Sequence, residues 1–214
     1  MTISITLTGV DERTKVHEIV QLAEAGAEIG ILYTHSPDGR NRYPSLQWIV
    51  DVLFALDGRR VAIHVCGMRA RQALSIFLTD KVDRVQINGT VNSALVHDLC
   101  YYVGESIITQ HTPENAGLLT LDVPNHFVLV DKSGGRGITP AEWVRPETTK
   151  PVGFAGGLSL ETLPRELSRI AAVARGDWWI DMESGLRDEN DWFDVNKAKR
   201  VLDLWDKWRA DNAH

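Results

Sequence analysis

The stretch ISITLTGVDERTKVHEIVQLAEAGAEIGILYT, Ile3 to Thr34, decides how the chain is read. Residues 3–8 are a short run of apolar and β-branched side chains, the pattern of a strand. Asp11 then opens a helical segment in which Val16, Ile19, Val20 and Ala23 fall on one face. Residues 27–34 form a second apolar run of strand length. Two strands joined by a helical crossover lie parallel, because the crossover returns the chain to the end of the sheet where it began.

The same unit recurs to the end of the chain. Further strands are expected at residues 59–67, 83–89, 105–111, 126–132, 151–157 and 177–185. Helical patterns occupy residues 43–58, 68–78 and 93–104. Residues 112–122 read as a short helix or a loop. After the sixth strand, Thr139, Pro140 and Glu142 have the spacing of a capped helix start. Ser159 is placed to cap the seventh helix, in which Pro164 sits awkwardly. Asp194 opens the last helix, with Val195, Ala198, Val201, Leu202 and Trp205 on one side. Eight strand–helix units close best as a (β/α)8, or TIM, barrel. An open doubly wound sheet is the alternative, but no GxGxxG follows the first strand. With no low-complexity linker, residues 1–214 are expected to form one domain.

Composition narrows the function classes. The chain has 214 residues, 43% hydrophobic and 24% charged, with a formal net charge of -6. That balance argues against nucleic acid and anionic membranes as partners. Cys66 and Cys100 stand apart in apolar runs, so a disulfide scaffold is not expected. The amino terminus lacks the basic and apolar regions of a signal peptide, and no run reaches the roughly 18 apolar residues of a membrane span. The expectation is a cytoplasmic protein.

A TIM barrel carries its site at the carboxyl ends of the strands. In VLVDKSGGRG, Val128 to Gly137, a strand runs into Asp131 and then a glycine-rich loop. Asp131 therefore belongs at the barrel mouth. It serves there either as an acid or base, if its surroundings raise its pKa, or as a cap for loop amides. The other strand ends are Thr8-Gly9, Tyr33 to His35, Cys66, Asn88, Gln110-His111, Ala155 to Gly157, and Glu183 to Gly185. The glycines at the last two ends suit a phosphate cradle of backbone N–H groups. His35, His64 and His111 with Glu183 lack the tight spacing of a metal motif, so no metal is expected. His64 reads as a hydrogen-bonded barrel residue. Trp178, Trp179, Trp192, Trp205 and Trp208 read as packing between the last helix and the barrel.

At these residues the sequence resembles the phosphoribosylanthranilate isomerase family of tryptophan biosynthesis. VLVDKSGGRGITPAEW resembles that family's sixth-strand stretch, PVGFAGGLSLETL its A-GG-L stretch, and IDMESGLRDENDWFDVNKAKRVL its D-x-S-S-G segment. NRYPS and VQING resemble its R-Y and V-Q-L-H-G segments. The resemblance implies an Amadori rearrangement of an N-linked aminoaldose ribose phosphate into an aminoketose. By it, Asp131 is the general acid that opens the sugar ring, and Arg42 contacts a substrate carboxylate. Gly134, Gly135, Arg136, Gly156, Gly157, Ser184 and Gly185 belong to the ligand-binding loops.

Three positions depart from the family pattern. Its base cysteine on the first strand is Thr8 here, its first serine after the eighth strand is Glu183, and a histidine is Asn88. A threonine hydroxyl is no base without an activator. Glu183 beside a phosphate cradle would repel a phosphate unless turned away or neutralised, for instance by Arg136. The base is left among Glu183, Cys66 and a Thr8 aided by a neighbour. The expected function is aldose–ketose isomerisation of a ribose phosphate or related sugar derivative, without a cofactor. The alternative is an inactive barrel that binds a ligand or a protein. The expected partner is an anionic or sugar-like small molecule, and the protein is expected to be a monomer or homodimer.

Overall fold

The computed structural model describes residues 2–36, 39–77, 80–102, 106–131 and 137–212. Eight strands run β1 (Ile3–Thr8), β2 (Glu28–Thr34), β3 (Val61–Cys66), β4 (Arg84–Ile87), β5 (Ser106–Gln110), β6 (His126–Asp131), β7 (Val152–Ala155) and β8 (Trp178–Met182). They pair in chain order and close into a parallel barrel. The helices outside are α1 (Val16–Glu24), α2 (Leu46–Ala55), α3 (Leu74–Phe77), α4 (Ser93–Tyr102), α5 (Leu163–Val173) and α6 (Val195–Asp211). None of the described helices is long and apolar enough to cross a membrane.

Strand alternation sorts the side chains into two sets. One set packs outward under the helices in a single buried apolar cluster. It includes Ile29 and Ile31 of β2, Ile63 and Val65 of β3, and Phe154 of β7, all fully buried. The other set fills the barrel and is divided in character. Ile108, Leu129, Ala155 and Trp179, from β5 to β8, form a small apolar cluster. The β1 to β4 side instead carries Thr6, Glu28, His64, Arg84 and Gln86, all buried.

That polar half is held by an ion pair. Arg84 Nε donates to both oxygens of Glu28, at 3.0 and 2.9 Å, and its Nη2 donates to Glu28 as well. Thr6 Oγ1 donates to Glu28 at 2.9 Å. The guanidinium lies 4.2 Å from the ring centre of Trp179. Burial alone would push the Glu28 carboxyl up, but Arg84, Arg60 and Thr6 together hold it below its usual range. A pair this deep specifies arrangement more than it stabilises, because desolvating both charges offsets much of their attraction.

Several boundaries differ from the sequence reading for identifiable reasons. Asp11 does not open α1, which starts at Val16 after Lys15. Its carboxylate accepts instead from the backbone N–H of Phe193 at 2.7 Å, on the far end of the chain. The expected helix at Thr139 does not form. Thr139 Oγ1 donates to the carbonyl of Gly157 at 2.9 Å, and Trp143 is buried with its Nε1 donating to Glu166 of α5. Residues 139–150 therefore cross as irregular chain tied to β7 and α5. The third helical pattern divides into a 3-10 turn, Arg69–Ala73, and the single turn of α3. Residues 112–122 contain a 3-10 helix, Pro113–Thr120, whose first turn Thr112 caps.

Ser159 does not cap α5, which starts at Leu163 after Thr162; its hydroxyl accepts from the backbone N–H of Thr162 in the turn before the helix. Pro164 falls in the first turn of α5, where its missing N–H leaves no helical bond unmade. Asp194 caps α6, accepting from Asn196 and Lys197. Trp178, Trp205 and Trp208 pack together between β8 and α6. The other two tryptophans do not take that role: Trp179 points into the barrel, and Trp192 lies under the Arg13 guanidinium.

Candidate functional site at the barrel mouth

The register places two carboxylates in one row, with a single strand between them. Asp131 ends β6 opposite Ala155 of β7, and Ala155 stands opposite Asp181 of β8. Residues in one register row project to the same face. Both aspartates line a central well of about 70 Å³ with His64, Gln86, Asn88 and Gln110. Asp181 is buried, and burial pushes its carboxyl up to about 7. The hydrogen bond from Thr8 and the charge of Arg84 pull it down, while the charges of Glu28 and Asp131 add to the rise.

Thr8 is fully buried, and its Oγ1 donates to Asp181 at 2.6 Å. Its hydroxyl proton is thereby committed to a carboxylate, which leaves Thr8 a donor rather than a base. His64 Nδ1 stands 3.9 Å from Asp181. Burial holds the imidazole down to about 4, so the contact is between a neutral ring and a carboxyl at neutral pH. Cys66 ends β3 and accepts from Asn88 Nδ2 at 3.2 Å. Burial and the charge of Glu183 push its thiol up to about 11, so it is protonated near neutrality.

Glu183 follows β8 and turns toward β2. Its Oε1 accepts from Arg42 Nη1 at 2.6 Å. Arg42 also grips Asp191, with Nε donating at 3.1 Å and Nη2 at 2.6 Å. Asp191 sits at φ 62°, a left-handed conformation that aspartate tolerates better than most residues. Its Oδ1 also accepts from Arg187 Nε at 3.0 Å, and Arg187 Nη1 donates to the carbonyl of Gly9 at 2.7 Å. Arg187 Nη2 reaches Asp11 at 3.4 Å. This chain of alternating charges folds the segment after β8 back over the ends of β1 and β2. Burial raises the Glu183 carboxyl and the charge of Arg42 opposes the rise.

The glycine ends of β7 and β8 meet on the opposite side of the well. A Cβ on Gly157 (φ +63°) would lie 2.1 Å from the backbone nitrogen of Thr139. One on Gly185 would lie 2.1 Å from the carbonyl oxygen of Leu158. Only glycine allows backbone to close so tightly there. Gly156, Gly157, Ser184 and Gly185 line the well together. Gly134, Gly135 and Arg136 lie outside the described residues. A larger lobe of about 520 Å³ opens beside the well, between Arg42, Tyr43, Cys66, Met68, Arg71 and Glu183. Among the described residues, no three His, Cys, Asp or Glu side chains converge as a metal site.

The structure thus gathers Asp131, Thr8, Cys66, Glu183 and Arg42 at one mouth, with the four described glycine-loop residues around it. Asp181, Asp191 and Arg187 were not singled out from the sequence. The sequence carries a signal for Asp181: it stands two residues before Glu183, the spacing that puts both on one face of an extended run.

No family profile and no curated protein matches the sequence. Solved structures do. Phosphoribosylanthranilate isomerase from Thermus thermophilus superposes with a TM-score of 0.70 at 17% identity, covering 96% of this chain and 100% of that one. A monomeric form of the dimeric enzyme from Thermotoga maritima gives 0.70 at 14%, covering 95% and 98%. A phosphoribosylanthranilate isomerase in complex with reduced 1-(o-carboxyphenylamino)-1-deoxyribulose 5-phosphate gives 0.68 at 15%, covering 96% and 100%. The chain has the TIM-barrel fold of these enzymes and is similar to them over nearly its whole length.

Proposed function

We propose that the protein isomerises a phosphorylated sugar derivative of the aldose–ketose type, an N-linked aminoaldose phosphate being the substrate class that fits best. The observation that carries this is the pair Asp131 and Asp181, flanking Ala155 in one register row at the floor of the mouth. Aldose–ketose isomerisation moves one proton off C2 and needs an acid and a base within reach of adjacent atoms. Asp131 protonates the ring oxygen as the nitrogen lone pair opens the ring to a Schiff base. Asp181, as carboxylate, removes the C2 proton to give an enolamine. That enolamine takes a proton at C1 and loses one from the C2 hydroxyl, which leaves the ketose with no net change in atoms.

Three alternatives for the base are weaker. Thr8 donates to Asp181, Cys66 is protonated, and Glu183 is engaged by Arg42. Thr8 acts on the base: its hydroxyl favours the ionised form of Asp181. Because Glu183 turns to Arg42, its charge is drawn away from the glycine cradle, which supports a phosphate there. The neighbour solved with a phosphorylated aminoketose analogue supports the same class.

The test is solvent exchange. Wild type, Asp131→Asn and Asp181→Asn are incubated in D2O with ribose 5-phosphate and, separately, with phosphoribosylanthranilate generated in situ, and deuterium entering C1 of the ketose product, or C2 of aldose re-formed from it, is followed by NMR. The expected result is deuteration by wild type and a loss of at least about 100-fold in each variant. Wild-type exchange that survives Asp181→Asn refutes the base. No exchange with either substrate, together with saturable ribose 5-phosphate binding, supports the inactive, ligand-binding barrel instead.

A further inference from the structure

The lobe beside the central well holds three arginines, Arg40, Arg42 and Arg71, and their charges are not equally satisfied. Arg42 faces two carboxylates, Glu183 and Asp191. Arg40 lies with its guanidinium 5.0 Å from the ring of Tyr43. Arg71, from the turn after β3, has a different environment. Its Nη2 donates to the carbonyls of Asn88 and Thr90, at 3.2 and 2.6 Å. Its Nε is buried with no hydrogen-bond partner among the described residues. No carboxylate pairs with it among the described residues, and burial alone shifts its pKa, downward.

A guanidinium held by two carbonyls keeps its full positive charge, and since Nη2 makes both bonds it has donors to spare. Such a cation on the wall of a cavity calls for an anion, since an unpaired, part-buried charge is costly. Leu32, Tyr43 and Met68 form the apolar and aromatic part of the lobe, while Asn88, Gln110 and the paired Arg42 and Glu183 form its polar part. Met68 is 76% exposed at the rim.

We propose that Arg71, and not Arg42, is the cation of this lobe that binds a ligand carboxylate. Arg42 is already neutralised inside the protein, so a ligand carboxylate there would have to displace Glu183 or Asp191. At Arg71 it displaces no carboxylate of the described residues. The specificity-determining cation thus lies after β3 rather than after β2. This inference rests on the reading above only in taking the barrel mouth as the ligand site.

Benzoate is the probe, titrated into 15N-labelled protein while the amides of Gly89 and Thr90 are followed. Arg71→Gln is expected to weaken benzoate at least about tenfold, the loss of one charge-assisted contact. Arg145→Gln serves as control, because Arg145 also staples backbone carbonyls but lies away from the mouth. It should leave benzoate affinity unchanged. Benzamide, neutral and of the same shape, should bind equally weakly to wild type and Arg71→Gln. On wild type alone, benzoate should outbind benzylammonium at least about tenfold, a comparison that stands even if Arg71→Gln does not fold. Absence of benzoate binding to wild type, unchanged affinity in Arg71→Gln, or equal binding of benzylammonium would each overturn the assignment. Activity plays no part in these readouts. Loss of the isomerase reading leaves Arg71 standing, and failure at Arg71 leaves Asp131 and Asp181 untouched.

Discussion

Asparagine at position 181 separates the chemistry of that carboxyl from its electrostatic cost to the fold. The unfolded carboxyl ionises near 3.8 and the folded one at about 7. Between those values folding takes up a proton, so stability falls as pH rises, and above about 7 the loss is complete. At roughly 1.4 kcal/mol per pH unit, the total is about 4 kcal/mol, of which about 3 kcal/mol falls between pH 5 and pH 8. Asparagine keeps an oxygen for Thr8 and never ionises. Urea unfolding of wild type and Asp181→Asn at both pH values reads the difference directly. The variant should gain about 3 kcal/mol on wild type from pH 5 to pH 8, a large part of an ordinary folding free energy. In the same reasoning, kcat/KM of wild type should rise with pH through about 7, where the base ionises. A stability difference that stays flat with pH would refute the raised carboxyl and, with it, Asp181 as a base poised near neutrality.

The other expectations concern the surroundings of that group. Glu28→Ala strands Arg84 in the barrel interior and should cost about 3–5 kcal/mol by urea denaturation. Cys66→Ala should leave kcat/KM within about threefold of wild type, because a thiol pushed up to about 11 is not the base; a loss beyond 100-fold would restore it as a candidate. Gly157→Ala places a Cβ against the Thr139 backbone and should destabilise by about 1–3 kcal/mol, with weaker ribose 5-phosphate binding in a calorimetric titration. Thr8→Val removes the donor to Asp181, so the rise of kcat/KM with pH should move to higher pH.

Local patterns carried the barrel. Each strand is a short apolar run and each helix an amphipathic face, and both are properties of contiguous residues. The missing helix at Thr139 shows where such reading stops. Thr139, Pro140 and Glu142 have the spacing of a helix start, but the Gly157 carbonyl, distant in sequence, takes the threonine hydroxyl. Asp11 is the same case: its carboxylate is captured by Phe193 and Arg187 from the last unit of the chain.

At the mouth, strand ends alone named Thr8, Cys66, Asp131 and Glu183, since in a parallel barrel every strand delivers its last residues to one rim. What those residues do was decided by pairing across the closed barrel. Thr8 and Asp181 lie 173 residues apart and meet at 2.6 Å. Arg42 and Glu183 lie 141 apart and neutralise each other. Composition and periodicity determine which side chains leave water and which way a strand faces, because those depend on near neighbours along the chain. Charge state, donor direction and the cation left for a ligand depend on burial and on distant partners, and only the folded chain supplies both.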